Sequence, residues 1–228
     1  TLGNLESSDT QAWGIAQQTG VHVISVNYRL APQHPFPAAP EDVYAVLQHV
    51  ASEGAPMGIN GSRIGTWGDS AGGCLSAVVC LMTRDRKGPP VTAQVVHTAC
   101  LTDVLDSSSY HEHANSPGLD GASMDGYWTN YLGDRRPSQE DYATPLKAKD
   151  LSGLPPALVH IAEVDPLADD GRRYCKRLQE AGVSAQLRVA EGMIHGFLRA
   201  RHIGPDSAAE FDIPCRFMAE KLGVAGPE

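Results

Sequence analysis

The sequence predicts an α/β fold, with a mostly parallel sheet flanked by helices, on three observations. Short runs rich in β-branched residues alternate with helical stretches along the chain. Glycine and proline punctuate these segments where elements should stop. The 228 residues are 42% hydrophobic and 20% charged, enough for one domain with a substantial core.

The elements follow in order. Residues 4–20 read as a helix, with Ser7 or Ser8 as its cap and Gly20 at its end. VHVISVNY, 21–28, is short and β-branched and reads as a strand. RLAPQHPFPAAP, 29–40, holds four prolines and must be a loop. It feeds a helix at 41–54, with acids in its first turn and Gly54 at its end. A strand at 62–67 runs into GDSAG, and the helical run after it stops at Gly88-Pro89-Pro90.

VTAQVVHTAC, 91–100, reads as a buried strand. The stretch 102–153 is irregular and too long for a simple connection, which points to a lid or binding loop. A short helix in MDGYWTNYLGD would set Tyr127 and Tyr131 on one face. PALVHIAEV, 156–164, is a strand, and Asp165-Pro166 opens a helix to about Ala181. VSAQLRVAE, 183–191, is the last strand, and 206–222 the last helix. The chain has no internal repeat or domain linker, so a single domain over 1–228 is expected.

Composition excludes several classes. The net charge of −9 argues against a phosphate-backbone partner. No basic run offers a membrane patch, and no apolar stretch approaches the ~20 residues that span a bilayer. The five cysteines are scattered without a CxxC pair, so zinc and thioredoxin-like readings lack support. Cys74 and Cys80 fall in an apolar helical stretch as buried thiols, which favours a reducing, cytoplasmic compartment. No cofactor or metal is implied.

WGDSAG, 67–72, sets Ser70 between a strand and a helix. A serine hydroxyl is a poor nucleophile without a neighbouring base. In a G-x-S-x-G turn the glycines permit a sharp strand-to-helix elbow that exposes the hydroxyl at its tip. The next N–H, from Ala71, then faces a developing oxyanion at a helix amino terminus. The base should lie late in the chain, at the carboxyl end of a parallel strand. Of nine histidines, His195 in EGMIHGF meets that condition. His22, His97 and His160 fall inside strands, and His111 and His113 in the irregular stretch. The ordinary imidazole pKa near 6.5 suits a base at neutral pH. Asp165 follows the strand 156–164 and can orient the ring, although an Asp before Pro is also a good helix cap. Asp103 is the rival acid, with Asp169, Asp170 and Glu163 behind it. The order Ser70, Asp165, His195 matches the serine–acid–histidine order of α/β-hydrolases.

NYRLAPQHPFPAAPEDV, WGDSAGG, YATPLKA, LSGLPPALV, AEVDPLADDG and MIHGF, in that order, resemble the hormone-sensitive-lipase-like (bacterial family IV) carboxylesterases. The likeness covers nearly the whole chain. It implies an α/β-hydrolase fold, Ser70 as nucleophile, Asp165 as acid and His195 as base, and it demotes Asp103. It also makes 102–153 partly a cap-side insertion and implies a short- to medium-chain ester as substrate. Tyr127, Trp128, Tyr131 and Phe197 are candidates to line the acyl pocket. LGNLES, 2–7, resembles the residues just after the family's HGGG-type oxyanion segment. The chain is therefore expected to be a fragment without that segment, the first strands and the amino-terminal cap. Strands 21–28 and 62–67 would then lack the neighbour they share, leaving unpaired backbone groups and a chain of low stability. Loss of one oxyanion donor costs about 10²–10³ in kcat, so turnover of this chain alone is expected to be small. A non-catalytic small-molecule-binding protein on the same fold, or an amidase or deacetylase, are the alternatives.

Overall fold

The computed structural model describes residues 1–224. Its helices are α1 (Leu5–Thr19), α2 (Ala38–Glu53), α3 (Ala71–Asp85), α4 (Ser108–Glu112), α5 (Gly121–Leu132), α6 (Ala168–Glu180) and α7 (Pro205–Leu222). Four strands, β1 (Ile64–Asp69), β2 (Val91–His97), β3 (Ala157–Val164) and β4 (Ala185–Ile194), form one parallel sheet in that spatial order. Parallel neighbours need a crossover. Helix α3 supplies it between β1 and β2, and α6 between β3 and β4. The long connection from β2 to β3 carries α4 and α5.

The pleat sorts the core into two layers. Ala157, Val159 and Ile161 of β3 face a cluster built with α2, α3 and α6. Leu158 and Ala162, at the alternate positions, face α7 and α1 on the other side. Helix α3 is buried almost all round, from Gly73 to Thr83, because α2 covers the side turned away from the sheet. A separate cluster of Phe36, Tyr110, Met124, Trp128 and Leu132 packs the irregular stretch onto the loop before α2. No described helix is long and apolar enough to cross a membrane.

Three sequence expectations are corrected. Residues 21–28 are not a strand. Strand identity needs a ladder of hydrogen bonds, and no described strand lies beside this segment or on the outer side of β1. Val21 and Val23 still pack against the cluster of α1 and α7. Second, Asn4 rather than Ser7 or Ser8 caps α1. Its side chain accepts from Ser7 N–H at 2.9 Å, and Ser7 Oγ accepts from Asn4 N–H in return. Third, α2 begins at Ala38, because Pro40 falls in its first turn, where a missing N–H costs nothing.

Leu81 is fully buried in α3. Leu81→Ala should cost about 2–5 kcal/mol, seen as a lower urea midpoint at unchanged m value.

Candidate active site

β1 ends at Asp69 and α3 begins at Ala71, so Ser70 alone makes the turn between them. Its φ of 58° and ψ of −116° lie outside the regions that side chains favour. Such a conformation costs about 1–3 kcal/mol and persists only where its surroundings enforce it. Two glycines give the turn room. A Cβ on Gly68 would overlap the Gly72 carbonyl, and one on Gly73 would lie 2.8 Å from the His97 carbonyl oxygen. A Cβ on Gly72, the second glycine of the motif, would meet nothing within 4 Å. As the first residue of α3, Ala71 has an N–H without an intrahelical acceptor.

The other two side chains arrive from β3 and β4. The ladder between them shifts register after Ala162, which pairs with Ala190, whereas Val164 pairs with Ile194. One residue of β3 thus faces three of β4. Glu163 closes the bulge by accepting from Gly192 N–H at 2.7 Å, with Gly192 at φ 68°. The new register makes Asp165 and His195, the next residue on each strand, direct neighbours.

His195 Nδ1 lies 2.7 Å from Asp165 Oδ2, and Nε2 lies 3.1 Å from Ser70 Oγ. A carboxylate beside Nδ1 draws the ring proton to that nitrogen and leaves Nε2 free to accept from the hydroxyl. Asp165 Oδ1 accepts from Leu167 N–H at 2.9 Å, so both oxygens of this carboxylate, which is 1% exposed, are engaged. The cap role and the ring-orienting role are thus compatible, one on each oxygen. Burial pulls the His195 pKa down, but the hydrogen bond and charge of Asp165, with the charge of Asp69, lift it above the ordinary value.

The rival acids are engaged elsewhere. Asp103 pairs with Lys147 and accepts from Ser138 N–H. Asp169 accepts from Ser109 N–H, and Asp170 from Leu101 N–H. Burial lifts the Asp170 carboxyl to about 8. The rings of His97 and His160 pack against each other, tilted by 58°, at 4.8 Å between centroids. Burial pulls them to about 3 and about 4, so both stay neutral near pH 7. His22 is exposed rather than held in a strand, because its segment has no ladder.

An apolar cavity of about 80 Å³ reaches Ala71 and is lined by Tyr28, Cys74, Cys100, Tyr127 and Trp128, among others. Tyr131 also lines it, but Phe197 does not. Phe197 turns inward and packs edge-on against His97 and His160, at 5.2 and 5.4 Å. Sequence reasoning missed the wall formed by Tyr28 to Ala31 and the role of Cys100. A proline-rich loop and a lone cysteine carry no signal of what they will face.

A family model described as alpha/beta hydrolase fold matches residues 1–199. The chain is 38% identical over 211 residues to the carboxylesterase NlhH of Mycobacterium tuberculosis, covering 91% of this chain and 66% of that protein. It is 38% identical over 218 residues to the carboxylic ester hydrolase LipN of the same organism, covering 92% and 57%. The chain therefore spans less than two thirds of the length of these curated relatives. Among solved structures, an esterase of the archaeon Pyrobaculum calidifontis superposes with a TM-score of 0.93 at 35% identity, covering 98% of this chain and 74% of that one.

The two glycines of the motif should respond differently to a methyl group. Gly68→Ala should lower the thermal midpoint by several degrees, whereas Gly72→Ala should change stability by less than about 1 kcal/mol. Equal effects in thermal unfolding would contradict the steric account.

Proposed function

Because this chain belongs to the alpha/beta hydrolase fold family, among its hormone-sensitive-lipase-like members, we propose that it provides the catalytic residues of a serine carboxylesterase. One observation carries the reading: the hydrogen-bonded series Ser70, His195, Asp165, each delivered by the tip of a different strand. His195 Nε2 takes the Ser70 proton as Oγ attacks the ester carbonyl. The Ala71 N–H faces the oxygen that gains charge, at the positive end of α3. His195 passes the proton to the departing alcohol, leaving an acyl-enzyme. Water, deprotonated by the same nitrogen, then releases the acid. Asp165 keeps the ring in the required tautomer and stabilises imidazolium.

The substrate is a short- to medium-chain carboxylic ester, its apolar part lying in the cavity that reaches Ala71. In this proposal residues 1–228 act as one catalytic domain, with 102–153 as its cap-side insertion. A reducing, cytoplasmic compartment is proposed on the free state of all five thiols.

A fluorophosphonate should label the wild-type chain, and Ser70→Ala should abolish both labelling and any turnover of p-nitrophenyl esters. Turnover unchanged in that variant would end the proposal. The base works unprotonated, and His195 binds its proton more tightly than a free imidazole. The rate should therefore fall as pH drops through a midpoint above about 6.5. Asp165→Asn removes the charge of Asp165, the main source of that rise. It should move the midpoint downward and cut kcat by roughly 10⁴, read from the pH–rate profile.

A further inference from the structure

We infer that Thr98, just past the end of β2, is a positioning residue that clamps the Ser70 turn across the β1–β2 junction. The inference rests on the hydrolase reading above for its catalytic meaning, but its geometry stands apart from it.

Thr98 is buried, at 1% exposure, and its φ is 37°. A β-branched residue at positive φ is a true outlier, since its side chain crowds its own backbone there. The only other non-glycine positions with positive φ among the described residues are Ser70 and Lys87. Two strained residues therefore sit side by side, at the tips of neighbouring strands. Two hydrogen bonds cross between the two strand ends, each joining one of these residues to the neighbour of the other. Ser70 N–H donates to the His97 carbonyl at 2.9 Å, and the Thr98 hydroxyl donates to Asp69 Oδ1 at 2.6 Å. The last residue of β1 and the nucleophile after it are thus tied to two consecutive residues, the last of β2 and the one just past it. One tie would leave the turn free to pivot, and two remove that freedom.

The peptide plane between His97 and Thr98 is itself held on both sides. Its carbonyl accepts from Ser70, and its N–H, that of Thr98, donates to the His160 carbonyl at 2.7 Å. Any rotation at Thr98 is therefore felt at Ser70. The hydroxyl also matters for charge. Asp69 is largely buried, and His97 Nε2, at 3.7 Å, lies outside hydrogen-bond distance. Among the described residues the Thr98 hydroxyl is the side-chain donor that reaches it. Without that donor, a buried carboxylate directly before Ser70 would have to move toward water. The backbone outlier and the hydrogen bond to Asp69 thus fall on the same residue.

The test compares Thr98→Val, which keeps the branched shape without the hydroxyl, with Thr98→Ser, which keeps the hydroxyl. Thr98→Val should slow fluorophosphonate labelling of Ser70 by about 10- to 100-fold. It should also speed hydrogen exchange of the Ser70 amide by at least about 10-fold, measured by NMR. On an ester that is turned over, the loss should fall on kcat and leave KM unchanged. Thr98→Ser should restore labelling and exchange to within about 3-fold of wild type. Asp69→Ala removes the acceptor instead of the donor and should produce the same faster exchange, which covers a Thr98→Val chain that does not fold. Near-wild-type exchange in Thr98→Val or in Asp69→Ala would overturn the clamp, as would a Thr98→Ser chain as impaired as Thr98→Val. A wild-type chain that resists labelling counts against the hydrolase reading, and amide exchange then decides the clamp by itself.

Discussion

The arrangement depends on parallel strands that run in step. Asp69, His97, His160 and Arg188 form one row across the sheet, each paired with the next. Parallel strands put all their carboxyl ends on one side, so residues just past that row share one neighbourhood. Ser70 lies one position beyond it on β1. Asp165 and His195 lie further out, and only the bulge of β4 around Gly192 makes them level with each other. A strict ladder would pair Val164 with Gly192 and leave His195 three residues past its partner's end.

Burial then sorts the charges near the row. Asp165 is almost fully enclosed, yet each of its oxygens has a donor, one from a backbone amide and one from the imidazole. For the imidazoles of His97 and His160 burial is the larger effect, and it keeps both neutral. His160 Nε2 lies 3.1 Å from Glu210 Oε2, whose other partner is Arg188, so the row ends in an ion pair near the surface. Three imidazoles within one small region thus differ in basicity, and His195 is the one lifted by its surroundings.

Much of the architecture was legible from local pattern. The strands at 64–69, 91–97, 157–164 and 185–194 lie within two or three residues of where β-branched runs and their punctuation set them. The segment 21–28 carries the same pattern and is not a strand, because pattern reports preference and a ladder needs a partner. Ser70, Asp165 and His195 were legible as residues placed just after strands. The wall at Tyr28 to Ala31, the inward turn of Phe197 and the part of Thr98 were not, since each depends on what another segment brings to it.

By itself the sequence determined the order of elements, the small residues at the elbow and which side chains stand at strand ends, because these are set by neighbours a few positions away. Only the tertiary structure decided which glycine the elbow needs, which acid meets the imidazole and how far β4 slips against β3. Asp103 and Asp165 both follow a strand, and a lysine from a distant turn engages one while the imidazole engages the other. Contacts between residues far apart in the chain are chosen by packing, and no local spacing encodes them.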